Sequence, residues 1–174
     1  MRLPGRDEAL GILRGSGCSG GVVRHCVYVA GIAVRLAGVL VGRGVVVDVA
    51  LVEAGALLHD LGRCRTHGVD HGVVGGEMVR GLGLPEALAR VVERHVGGGL
   101  PEGEAVGLGL PGGCYVPETL EEKLVCYADK LVEGGREVGF GVTLGKFVVE
   151  LGEGHPALER MRVLRDEVEG LLGG

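Results

Sequence analysis

Apolar residues recur at i, i+3 and i+4 along most of the chain, and no stretch keeps the strict alternation of a half-buried strand. A chain patterned in this way buries stripes on helices. The predicted class is therefore all-α, a compact bundle of about six to eight helices. The stripes must be built from Val, Leu, Ile and Ala, because aromatic residues make up only 3% of the chain and Trp is absent. The 174 residues suit a single compact domain over 1–174, with a motif-bearing core at about 22–133 and C-terminal helices at about 140–172. Glycine is abundant, at 36 residues, without the G-X-Y period of collagen. Many of these glycines fall inside helical stretches, where each costs about 1 kcal/mol against Ala. Packing has to compensate.

The spacing predicts a short helix over 6–13, a Gly/Ser loop to 21, and a long helix over 22–41 with Tyr28, Val29, Ile32, Leu36 and Val39 on one stripe. Asp48 is placed to N-cap a helix over 49–61 that Gly62 closes, and Asp70 to N-cap a helix over 71–82. Pro85 opens a helix running to His95. The segment 97–117 is rich in Gly and Pro and reads as a long loop. Helices follow at 118–133, 144–151 and 157–172, and no strand pair is expected.

Net charge is −5, so a basic face for duplex nucleic acid is not expected. Five cysteines (Cys18, Cys26, Cys64, Cys114, Cys126) are scattered, odd in number and never spaced C-x-x-C. They form neither a disulfide framework nor a zinc ribbon and read as reduced, mostly buried thiols of a cytoplasmic protein. Met1–Glu8 carries no signal-peptide core, and the apolar run 26–42 is broken by Arg35, so no membrane partner is expected. Asn and Gln are absent and Arg far outnumbers Lys, a thermophile-like bias that a GC-rich genome would also produce.

The chemistry-bearing residues sit on apolar helix faces. His59-Asp60 closes the run Ala-Gly-Ala-Leu-Leu, His25 lies on the stripe shared with Tyr28, Val29 and Ile32 and is expected to point inward, and Asp129 follows Val125 by one turn. Buried imidazole and carboxylate cost desolvation energy unless something satisfies them, and a divalent metal satisfies both. Three helices that converge in a bundle can bring four such residues together.

The set His25, His59-Asp60 and Asp129 resembles the H…HD…D motif of the HD superfamily of metal-dependent phosphohydrolases. Ala-Leu-Leu-His-Asp-Leu-Gly-Arg (56–63) is similar to the family's HDIG-type segment, and Glu-Glu-Lys-Leu-Val-Cys-Tyr-Ala-Asp-Lys (121–130) to the helix that carries its last aspartate. The run Pro-Glu-Thr-Leu-Glu-Glu-Lys (117–123) is similar to small archaeal HDIG-type proteins of unassigned substrate. Leu61 stands where Ile is commoner, and Arg63 where many relatives have Lys.

The resemblance implies that His25, His59, Asp60 and Asp129 hold a divalent ion, with Mn, Fe, Co, Ni or Mg suited to the donors. His71 and His95 stand at places where dinuclear relatives bind a second metal bridged by the aspartate of the HD pair, so one ion or two remain open. The implied reaction is hydrolysis of a phosphomonoester or phosphodiester, on a nucleotide or related small molecule, by metal-activated water. Asp60 at the metal, with Arg63 and Lys130 as cations for the phosphoryl group, are the expected catalytic residues. Alternatives are a catalytically silent metal- and nucleotide-binding module and a di-iron HD-type oxygenase. Arg94 and Glu53 read as exposed charges, His67 as a solvated loop residue, and His155 as a surface or capping residue. The 97–117 loop is a candidate lid. Oligomeric state is left open.

Overall fold

The computed structural model describes residues 2–173. Among them, nine α-helices run in the order α1 (Arg6–Gly15), α2 (Gly20–Gly42), α3 (Val49–Leu58), α4 (His71–Gly81), α5 (Glu86–Glu93), α6 (Glu102–Gly107), α7 (Leu120–Asp129), α8 (Phe140–Leu151) and α9 (Pro156–Leu172). A 3₁₀ turn at Leu61–Cys64 joins α3 to α4. The all-α class holds.

The core helix α2 packs along α3 and α7, and α3 packs in turn on α5 and α7. Ser19 caps α2 through the Val22 N–H at 3.3 Å, and Asp48 caps α3 through the Leu51 N–H at 3.0 Å. The face α2 buries is turned from the predicted stripe. Val29 and Ile32 of that stripe are inside with Cys26, Ala30, Ala33, Ala37 and Leu40, whereas Tyr28 and Val39 are 48% and 43% exposed. The neighbouring helices pack on the small-residue side, where Ala and Cys permit close approach. By length and composition α2 could cross a membrane; here that apolar face is buried within the bundle.

Two further expectations are corrected. A small antiparallel ribbon follows α7: β1 (Val132–Glu133) pairs with β2 (Arg136–Glu137). Its turn residues Gly134 and Gly135 have φ of 58° and 75°, the positive values that a tight two-residue hairpin demands. The predicted helix over 118–133 is thus shortened at its C-terminal end. The 97–117 segment is not a structureless loop either. It contains α6, and its ends are joined by hydrogen bonds between Leu100 and Tyr115. Leu100, Ala105, Leu110 and Tyr115 bury themselves with Val73 in a second small core. Apolar content, sparse as it is, outweighs the Gly/Pro signal there.

Close glycine contacts set where the functional residues stand. A Cβ at Gly62 would overlap the His71 carbonyl oxygen and lie 2.8 Å from the Gly75 nitrogen. Cβ atoms at Gly72 and Gly75 would lie 2.8 Å from side-chain carbons of Val96 and Val92. Backbone-to-backbone approach of the 3₁₀ turn, α4 and α5 therefore requires these glycines. Gly31 and Gly38, on the exposed side of α2, touch nothing.

Two substitutions separate these roles. Gly31→Ala should raise stability by about 0.5–1 kcal/mol, read as a higher urea midpoint at unchanged m-value. Gly62→Ala should lower the midpoint sharply, since the backbone contact cannot relax around a methyl group.

Candidate metal centre

Six of the sequence-predicted residues meet in one cluster, supplied by α2, the α3 C-terminus, the start of α4, the α5 C-terminus and the end of α7. His25 Nε2 lies 2.9 Å from Asp129 Oδ1 and 3.2 Å from His59 Nε2. His59 Nε2 lies 3.5 Å from Asp129 Oδ1. Asp60 faces this group through Oδ2, 3.7 Å from His59 Nε2 and 3.8 Å from His25 Nε2. Its other oxygen, Oδ1, lies 3.3 Å from His71 Nε2 and 3.5 Å from His95 Nε2, and those two nitrogens are 3.0 Å apart. One carboxylate is shared between two sets of imidazoles.

The donor set fits divalent metals. His59, His71 and His95 each place Nδ1 at 2.6–2.7 Å from a backbone carbonyl, of Ala56, Gly68 and Val92. Each Nδ1–H is therefore donated to the backbone and each Nε2 lone pair is left facing the cluster. Neutral imidazoles cannot hydrogen-bond to each other through two lone pairs. Two nitrogens each about 2.1 Å from a common ion at a right angle would be about 3.0 Å apart, which matches the separations found. The trios His25, His59, Asp129 and His59, Asp60, His95 each bring one donor atom within 4.8 Å of the others.

The electrostatics point the same way. Burial opposes charge on Asp60, but His59 and the adjoining imidazoles of His71 and His95 hold its carboxyl far below the usual range. Burial likewise opposes charge on Asp129, and Lys130 followed by His25 and His59 outweighs it. His59, fully buried, is held above the ordinary imidazole range because Asp60 overcomes its desolvation. His95 is pushed down to about 4 by burial. Positive charge is thus wanted between the carboxylates, and a divalent ion supplies it while displacing the proton.

The cations differ in availability. Lys130 is buried, with Nζ 2.5 Å from Asp129 Oδ2 and 3.0 Å from the His95 carbonyl oxygen, so most of its donors orient the cluster. Arg63 reaches Asp60 Oδ1 through Nε at 3.3 Å and the His67 carbonyl through Nη1 at 2.8 Å. Its Nη2 has no partner among the described residues, and the side chain lines the cavity that opens from the cluster.

Arg94 is corrected from an exposed charge to a buried clamp. Its Nη1 lies 2.8 Å from Glu118 and 3.0 Å from Glu122, itself only 3% exposed. Glu122 also completes a capping box with Thr119 at the start of α7. The 117–123 run therefore fixes His95, the residue after Arg94, against the helix carrying Asp129. The Cys126 thiol adds to this at 3.4 Å from the His95 carbonyl oxygen. Glu53 is an ion-pair partner of Arg6 at 2.8 Å. His67 is exposed. His155 caps α9 by accepting from the Ala157 N–H at 3.2 Å, and it also lines the cavity. Asp70 accepts from the Thr66 hydroxyl at 2.9 Å and makes no cap bond.

The HD domain family model matches residues 22–133, which include all six clustered residues. The chain belongs to the HD domain family. An uncharacterized protein of Methanocaldococcus jannaschii is 48% identical over 95% of this chain and 98% of its own length. A tRNA (cytidine(56)-2'-O)-methyltransferase of Picrophilus torridus is 37% identical over 98% of this chain, which spans only 48% of that enzyme. Among solved structures, the HD domain of the L. monocytogenes phosphodiesterase PgpH, in complex with cyclic-di-AMP, covers 95% of both chains at a TM-score of 0.56 and 15% identity, a likeness of fold. The HD domain match ends at the ribbon, so α8 and α9 lie outside it.

Two outcomes follow for this HD domain. Protein reconstituted with Mn²⁺ should carry two ions per chain by elemental analysis, and His71→Ala should carry one; a wild type that never exceeds one would rule out the shared-carboxylate site. Arg94→Met, which strands Glu122, should cost about 3 kcal/mol of stability and weaken metal binding, whereas Arg6→Met at the exposed Glu53 pair should change either little.

Proposed function

We propose that the chain is a metal-dependent phosphohydrolase that cleaves a phosphomonoester or phosphodiester of a nucleotide or related small molecule. The observation that carries this is Asp60, one carboxylate presenting its two oxygens to two imidazole sets at the end of a cavity. His25, His59, Asp60 and Asp129 would hold one divalent ion, and Asp60, His71 and His95 a second, with Mn²⁺, Fe²⁺, Co²⁺, Ni²⁺ or Mg²⁺ suited to the donors. When bound, such ions lower the pKa of water and polarise a phosphoryl oxygen.

The protein's own residues do the rest. The backbone carbonyls of Ala56, Gly68 and Val92 hold three imidazoles in one tautomer. Lys130 holds Asp129 ionised and in place. Arg63 offers Nη2 to a phosphoryl oxygen, where charge grows as the bond to the leaving group breaks. Two carboxylates against two divalent ions and two fixed cations leave the site strongly positive, which attracts a phosphate ester into a protein whose net charge is −5. A reducing cytoplasm suits the five free cysteines and is part of this reading.

The test is hydrolysis of bis(p-nitrophenyl) phosphate and a nucleotide panel with each divalent ion. Ion-dependent turnover should be abolished in His59→Ala and reduced roughly 10²-fold in Arg63→Ala. Bound metal without turnover on any ester would favour a silent binding module. An iron-dependent EPR signal after partial oxidation would favour the oxygenase.

A further inference from the structure

The cavity that opens from the cluster encloses about 650 Å³ and has two chemically different ends. Arg63 and Lys130 are the only Lys or Arg residues among those lining it, and both stand beside the cluster aspartates. Beyond the HD segment, the lining is supplied by α8 and the α8–α9 connection. The glutamates that line the cavity are already engaged, Glu104 with Arg160 at 2.5 and 2.9 Å and Glu133 with Lys146. A second phosphate has no cation waiting there.

What this wall offers is an apolar face with one polar point. Phe147 is the only Phe, Tyr or Trp lining the cavity, in a chain with two Phe and three Tyr in all. Thr143 also lines it, with its Oγ1 closed off from the cavity space. His155 accepts the Ala157 N–H on Nδ1, which puts the neutral ring's proton on Nε2 as a donor. All three residues lie beyond the segment shared with the HD family.

We propose that this α8 wall is a subsite for a neutral heteroaromatic group of the substrate, of the nucleobase kind. Phe147 supplies the stacking face, and His155 supplies a hydrogen bond to the ring edge. The phosphoryl group then lies at the cluster and the ring at α8, so the α8 wall selects a base rather than a second phosphate. This rests on the phosphohydrolase reading for the orientation of the substrate.

The test is equilibrium binding by calorimetry to Mn²⁺-loaded protein, with AMP, ribose 5-phosphate and ribose 1,5-bisphosphate as probes, each in its non-hydrolysable phosphonate form. AMP should bind at least ten-fold more tightly than ribose 5-phosphate, and the bisphosphate no more tightly than ribose 5-phosphate. Phe147→Leu should remove most of the AMP advantage while ribose 5-phosphate affinity, metal content and thermal midpoint stay as in wild type. Equal binding of AMP and ribose 5-phosphate by wild type would overturn the subsite, as would tighter binding of the bisphosphate. Failure of the phosphohydrolase reading looks different: base-selective binding persists while no ester is hydrolysed.

Discussion

Everything in this chain is arranged around a carboxylate that is buried and shared. Asp60 is 8% exposed and meets imidazole nitrogens on both of its oxygens. Such a group is costly in a helical core without positive charge beside it. The bundle meets that demand by converging five chain segments on one point. Four of those segments end or begin there, so carbonyls in the last turns of α3 and α5 accept from the Nδ1–H groups of His59 and His95, and the Gly68 carbonyl in the turn before α4 accepts from that of His71. Helix ends thus do two jobs: they supply the clustered side chains, and they fix the tautomer in which the imidazoles point.

Convergence requires backbones to come closer than side chains normally permit. Gly62 under His71 and Gly75, and Gly72 and Gly75 against α5, make that approach. The Arg94–Glu122 clamp then ties the α5 terminus to α7, while Lys130 and Cys126 seize the His95 carbonyl from the other side. Metal-site geometry, glycine content and the buried ion pair are therefore parts of one arrangement.

The cluster was largely legible in the sequence because chemistry of this kind leaves polar residues on apolar faces. His25, His59, Asp60, Asp129, His71 and His95 could each be named, and all six meet. The helical class was equally plain from periodicity. What could not be read was anything depending on which side of a helix its neighbours choose. The α2 stripe was right at Val29 and Ile32 but wrong at Tyr28 and Val39, because the buried face also takes in the small residues Cys26, Ala30, Ala33 and Ala37. Arg94 was taken for a solvated charge because its partners lie 24 and 28 positions onward in a segment rich in acids. The ordering of 97–117 depends on Leu100 and Tyr115 meeting across a Gly-rich stretch, which local composition conceals. Thr143, Phe147 and His155 carry no motif at all; only the fold brings them to the cavity.

The central claim is that Asp60 joins two metal positions. It is tested most directly by anomalous diffraction at the manganese edge from crystals grown with Mn²⁺. The account predicts two anomalous peaks about 3.5–4 Å apart, one between His25, His59 and Asp129, the other between His71 and His95, with Asp60 between the peaks. A well-ordered cluster with no anomalous peak would contradict it.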